Sequence, residues 1–197
     1  QYTEGSFDDL YSLTLERLDA LQLYQTISTK FPEISFNIYS SERWYVEQED
    51  EWVKQEAAIT KMDPESISME YFLKEHLPVH KILCMGNPDD IQKLEDELAR
   101  ANLSNISYYR SKDTYMEIVN NQVSKLGALH FLCEKYGVAL ANTLAIGDNF
   151  NDMPMIMHAG KGIAMGNAPD EVKQAADCVT DTNDENGFYK ALAMSLG

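Results

Sequence analysis

Leu144-Ala145-Ile146-Gly147-Asp148-Asn149-Phe150-Asn151-Asp152 decides how the C-terminal part of this 197-residue chain folds. Three consecutive apolar residues read as a short strand of the kind buried in parallel sheets. Gly147 lets the backbone turn directly after them. Asp148, Asn151 and Asp152 then bring three oxygen-bearing side chains into one loop and the first turn of the next helix. Open parallel sheets bind ligands beyond the carboxyl ends of their strands. The three side chains are therefore candidate ligands for a hard cation such as Mg²⁺, which takes carboxylate and carbonyl oxygens. The alternative is that they only cap the following helix.

On both sides of this stretch the chain alternates helix and strand. Residues 124–136 read as a helix with Leu126, Leu129, Leu132 and Cys133 on one face, and Gly137 as its C-cap. Downstream, residues 153–159, 170–176 and those from 185 onward read as helices, and 162–165 and 178–179 as strands. This is the C-terminal portion of a doubly wound, Rossmann-like α/β core. Lys125 opens the helix before the decisive strand. A lysine there is ordinarily a solvated surface residue, but a phosphoryl-transfer site needs fixed positive charge, and Lys125 is the obvious local source in so acidic a chain. Asn167, in the turn Gly166-Asn167-Ala168-Pro169 after the next strand, borders the same region, although a helix start explains most of that segment.

The texture upstream differs. Residues 16–29, 51–60, 66–74 and 89–101 read as helices. Residues 34–39 alternate apolar and polar as a half-buried strand, with Trp44-Tyr45-Val46 as its hairpin partner. Residues 81–85, 106–109 and 115–119 complete the strands. The expectation is an α+β domain over 1–119, with helices on one sheet face, followed by an α/β core portion over 120–197.

Composition narrows the partners. A net charge of −16 argues against nucleic acid, whose phosphates demand clustered Lys and Arg, and against an anionic membrane surface as the natural partner. No apolar run reaches the roughly 20 residues that span a bilayer, and the first nine residues lack the basic and apolar regions of a secretory signal. Cys84, Cys133 and Cys178 are odd in number, far apart and set among apolar neighbours, as free buried thiols are. A cytoplasmic location is expected. His76 and His80 have a zinc-like spacing, but Pro78 breaks the helix that would align them. His130 and His158 read as packing or surface residues. No Gly-x-Ser-x-Gly elbow, Walker loop or dinucleotide glycine fingerprint is present.

Val123-Ser124-Lys125, Ala145 through Met153, Gly162-Ile163-Ala164-Met165-Gly166-Asn167-Ala168 and Ala175-Ala176-Asp177-Cys178-Val179-Thr180 occur in this order and at matching spacing. Together they resemble the Cof-type phosphatase branch of the haloacid dehalogenase (HAD) superfamily, and residues 10–119 look like the cap that this branch inserts into its core. The resemblance implies a Mg²⁺-dependent phosphatase that acts on small phosphorylated metabolites, such as sugar phosphates, through an aspartyl-phosphate. By the same resemblance Lys125 steadies the nucleophile and phosphoryl group, Asp148 binds Mg²⁺, Asn151 contacts substrate phosphate, and Asp152 supports the metal or the lysine. Leu126 departs from the family, which commonly has Gly there; Gly127 lies one position late.

The larger departure is an absence. The family's Asp-x-Asp-Gly nucleophile motif, and the Ser or Thr of its second motif, should precede the cap, and neither is found. The nearest string, Phe7-Asp8-Asp9-Leu10, follows no apolar strand, has no Gly after the acids, and reads as a solvated turn or helix start. The expectation is a chain truncated at its N-terminus, lacking part of the core sheet. Such a chain is inactive alone and prone to dimerise or aggregate through an exposed sheet edge. The alternative is a non-catalytic pseudoenzyme that keeps a metal- and phosphate-binding site. Arg43, Trp44 and Tyr45 in the hairpin are candidate specificity residues, though packing is the simpler role for each.

Overall fold

The computed structural model describes residues 2–3, 6–7, 10–75, 77–101 and 103–196. His76, Asp8 and Asp9 lie outside them. The chain divides into two units, residues 1–122 and 123–197.

The first unit holds two short strands, β1 (Tyr2–Thr3) and β2 (Ser6–Phe7), paired antiparallel. Helix α1 (Arg17–Lys30) buries Ala20, Leu23 and Ile27, which fall on one stripe at helical spacing. Strands β3 (Ser35–Ser40) and β4 (Arg43–Val46) form the expected hairpin, with Ser41 in the left-handed region at φ 51°. Helix α2 (Glu51–Thr60) is capped by Asp50, whose carboxylate accepts the Val53 N–H at 2.9 Å. Then follow β5 (Glu65–Ser66), α3 (Met69–Lys74), β6 (Lys81–Met85), α4 (Pro88–Ala101), β7 (Ile106–Lys112) and β8 (Tyr115–Asn120). The six-stranded sheet runs β5-β4-β3-β6-β8-β7, antiparallel except for the β4–β5 pair.

Helices lie on both faces of this sheet, not on one. Ile38, Ile82, Cys84, Met116 and Ile118 point to the face packed by α1, α3 and α4. Their neighbours Trp44, Val46, Leu83, Met85 and Tyr115 point the other way, and Val53 and Trp52 of α2 cover them. Strand alternation produces both sets. The isolated period of α2 does not disclose which face it meets. Trp44 and Tyr45 are therefore core residues: Trp44 is 1% exposed and stacks on Tyr39, and Tyr45 lies against Phe72. Arg43 is exposed and pairs with Glu65. His80 is satisfied locally, with Ser41 N–H donating to Nδ1 at 2.9 Å and Ser12 Oγ 2.8 Å from Nε2.

In the second unit, α5 (Lys125–Tyr136) is capped by the Ser124 hydroxyl at its start and by left-handed Gly137 at its end. Its apolar face is less covered than its spacing suggests. Cys133 is buried, Leu126 and Leu129 are intermediate, and Leu132 is exposed. A short 3₁₀ turn (Leu140–Asn142) leads into β9 (Leu144–Gly147). The chain continues through α6 (Met153–His158), β10 (Lys161–Ala164), α7 (Asp170–Ala175), β11 (Cys178–Val179), a 3₁₀ turn (Asn183–Glu185) and α8 (Gly187–Leu196). The sheet is parallel, in the order β11-β10-β9. Ala145 and Gly147 are buried, while Leu144 and Ile146 are only partly covered; among the described residues β9 pairs on one side alone. No helix of the described residues is long and apolar enough to cross a membrane.

Candidate functional site at the rim of the parallel sheet

The three parallel strands end at one rim, and each is followed by a loop that carries a polar residue. Asp148 follows β9, Asn167 follows β10, and Asn183 follows β11. Backbone bonds tie the rim together: Met165 N donates to Gly147 O at 2.9 Å, and Gly166 N donates to Asp181 O at 3.0 Å.

Asp152 organises the first loop. It is 2% exposed and occupies the N-cap position of α6, yet makes no capping bond to that helix. Its carboxylate turns back instead. Oδ2 accepts the N–H groups of Asp148 at 2.9 Å and Asn149 at 3.1 Å, and Oδ1 accepts Lys125 Nζ. Helix capping thus does not account for Asp152. Gly147 makes the arrangement possible, because a Cβ there would stand 2.6 Å from Asp152 Cγ and 2.8 Å from Oδ2.

Lys125 sits in the first turn of α5, where the helix dipole disfavours a cation. The buried carboxylate of Asp152 offsets that penalty and draws the ammonium to the loop, while the side chain stays 51% exposed. Asp148 is exposed. Its Oδ2 accepts from Asn167 Nδ2 at 3.1 Å, and among the described residues its Oδ1 has no hydrogen-bond partner. Asn151 is exposed, and among the described residues its amide has none either. One loop therefore presents a free carboxylate oxygen, a free amide and, beside Asp152, a half-exposed ammonium.

Lys125, Asp148, Asp152 and Asn167 are joined by hydrogen bonds, whereas Asn151 shares only their loop. The backbone N–H of Asn183, which donates to Asn167 Oδ1 at 3.1 Å, was not anticipated. No side-chain signal discloses a main-chain donor. Asp177, read from the sequence only within its motif, has a structural role: its carboxylate accepts the Gly162 N–H at 2.7 Å and fixes the start of β10. Among the described residues no three His, Cys, Asp or Glu side chains gather as a metal cage. Mg²⁺ does not require one, since it keeps waters and takes one or two carboxylates plus substrate phosphate.

A cation, an acidic loop and exposed polar groups beyond the ends of parallel strands define a site suited to phosphoryl groups. The chain belongs to the haloacid dehalogenase-like hydrolase family, whose model matches residues 2–192. The match shows the family; it does not show the expected N-terminal truncation or a missing part of the core. A Haemophilus influenzae relative is 33% identical over 188 residues, 95% of this chain and 70% of its own length. A 5-amino-6-(5-phospho-D-ribitylamino)uracil phosphatase of Bacillus subtilis is 40% identical over 121 residues, 60% of this chain and 48% of its own. The crystal structure of a haloacid dehalogenase-like hydrolase from Bacteroides thetaiotaomicron superposes with a TM-score of 0.84 at 34% identity, covering 94% of this chain and 69% of that one.

Proposed function

We propose that this chain carries the cation-binding and phosphate-steadying half of a Mg²⁺-dependent phosphomonoesterase site. The carrying observation is the buried Asp152 carboxylate, which binds Lys125 and the loop amides together beside the open oxygen of Asp148. In this reading Asp148 Oδ1 holds the metal, and Asn151 Nδ2 donates to a substrate phosphate oxygen. Lys125 donates to the phosphoryl group as negative charge develops on it. Asp152 keeps that lysine aimed. With three hydrogen bonds already accepted, its oxygens serve the lysine and loop first, so metal ligation rests mainly on Asp148. When bound, Mg²⁺ supplies charge neutralisation at the phosphate oxygens.

Covalent transfer needs a carboxylate nucleophile, and no Asp-x-Asp sequence occurs anywhere in the 197 residues. We therefore propose that turnover through an aspartyl-phosphate belongs to a longer protein of which this chain is a piece. The one-sided pairing of β9 among the described residues supports that reading, as it offers an edge for further strands, or for a second copy in a dimer or aggregate. The substrate class is small phosphorylated metabolites, sugar phosphates among them, in the cytoplasm. The phosphorylated ribitylamino compound of the Bacillus relative's name supports the class. A permanently non-catalytic metal- and phosphate-binding protein is the second reading, favoured by the same lack of Asp-x-Asp.

The test is an NMR titration of the purified chain with Mg²⁺ and inorganic phosphate, paired with a phosphate-release assay on p-nitrophenyl phosphate. Shifts at Asp148, Asn151 and Lys125 without turnover are expected. No shift at any of the three defeats the site assignment, and Mg²⁺-dependent release by this chain defeats the half-site reading.

A further inference from the structure

We infer that Asn167 is a positioning residue for Asp148, holding one carboxylate oxygen so that the other is presented to the cation, with its own amide aimed by the Asn183 main chain. The inference rests on the proposed role of Asp148.

The geometry fixes which way the Asn167 amide faces. Asn183 N is a donor only, and it lies 3.1 Å from Asn167 Oδ1. Asn167 Nδ2, a donor only, lies 3.1 Å from Asp148 Oδ2, which accepts from it. Turning the amide over would set carbonyl against carboxylate and NH₂ against N–H, losing both bonds. The relay therefore has a single polarity, from main-chain N–H to amide carbonyl and from amide NH₂ to carboxylate.

The donor at its head is also accounted for. Asn183 is the first residue of the 3₁₀ turn Asn183–Glu185, and the first N–H groups of a helix have no partner within it. That turn is closed by other bonds: Gly187 N to Thr182 O at 2.9 Å, Glu185 N to Thr182 O at 3.1 Å, and Thr180 Oγ1 to Gly187 O at 2.8 Å. The loop after β11 thus presents a fixed donor, and Asn167 carries its direction across the loop after β10 to the residue after β9. Asp148 is exposed and has no other side-chain restraint among the described residues. Without Asn167 its carboxylate turns freely, and a cation must order it on binding. Partners of this kind are commonly worth 10–100-fold in metal affinity.

The experiment follows Mg²⁺ binding to the whole chain by the Gly147, Asp148 and Asn149 amide signals. Asn167→Ala is expected to weaken binding by about 10-fold or more. Asn183→Pro removes the head of the relay together with the side-chain bond to Asp184, and Asn183→Ala removes that side-chain bond alone. Thr182 is already extended, at φ −68° and ψ 164°, as a residue before proline should be, and proline suits the first position of a helical turn. Asn183→Pro is expected to weaken binding, Asn183→Ala, which keeps the N–H, to leave it unchanged, and Asn183→Pro to add nothing in the Asn167→Ala background. Unchanged affinity in Asn167→Ala, or equal affinity in the proline and alanine variants, overturns the inference. If Asp148→Ala binds as well as the native chain, the cation reading itself fails. A metal-free readout separates the two. The Asn167 amide proton facing Asp148 should exchange more slowly than its twin, and the difference should vanish in Asp148→Ala; two equally fast protons in the native chain overturn the relay whatever the metal does.

Discussion

Gly147 and Asp152 compete for one volume: the space a side chain at 147 would fill is taken by the carboxylate that orders the loop. Gly147→Ala must push Asp152 aside or shift the end of β9. Overpacking of this kind costs about 1–3 kcal/mol, and urea denaturation should register a loss in that range. The amide signals of Asp148 and Asn149 should move as well, because both donate to Asp152. An alanine variant as stable as the native chain, with those signals in place, would show that the loop is softer than its packing implies.

Asp152 and Lys125 are partners with unequal stakes. Asp152→Ala leaves two loop N–H groups without their acceptor, at about 1–3 kcal/mol. Lys125→Ala removes a half-exposed cation and leaves the buried carboxylate its two loop N–H bonds, so its cost stays below that of breaking a pair buried at both ends. Urea midpoints of the two variants should therefore differ, with Asp152→Ala the lower. Equal losses would assign the energy to the ion pair and not to the amides.

The rim site was legible because its determinants are local. An apolar triplet, a glycine and polar residues at fixed offsets lie within nine positions, and the strand-to-helix turn follows from them. The helix starts read near residues 51 and 124 likewise hold, and Asp50 and Ser124 cap them by hydrogen bonds. What was not legible depends on partners distant in sequence. Val53 meets the second face of the sheet because β3, β4, β6 and β8 pair around it, which no window of α2 contains. Leu132 carries the right spacing for a buried face yet stays exposed, since periodicity shows a stripe and not what covers it. Asn37, unremarkable in an alternating strand, turns out to be a fully buried polar hub.

That hub makes a test of the first unit's core. Asn37 Oδ1 accepts Trp44 Nε1 at 2.9 Å, and its Nδ2 donates to Ser35 Oγ and to the carbonyls of Ser35 and Leu83. Asn37→Leu strands the indole N–H in a dry core and should cost about 1–3 kcal/mol. Trp44→Phe deletes the donor as well as ring volume. The double variant should lose less than the two single losses added together, by at least about 0.5 kcal/mol, as contacting residues do. Strict additivity in chemical denaturation would mean that the bond contributes nothing.

The tyrosines set an alkaline limit to stability. Burial first, then the hydrogen bond to Glu47, pushes Tyr24 up to about 12. Burial, aided by the charges of Glu56 and Glu117, does the same for Tyr39. Burial and the bond to Glu56 raise Tyr115 in the same direction. In the unfolded chain these phenols ionise near 10. Between about pH 10 and 12 the unfolded state therefore binds fewer protons than the folded one, and stability falls as pH rises. Below pH 10 both states are protonated at these groups, and their contribution is fully present. Urea unfolding at intervals from pH 9 to 11.5 should show this decline, and Tyr24→Phe should make it shallower. The phenolate absorbance near 295 nm should show Tyr24 and Tyr39 titrating above the range of a free phenol. A flat stability profile over that window, or a Tyr24→Phe variant with an unchanged slope, would show that Tyr24 ionises as freely in the fold as outside it.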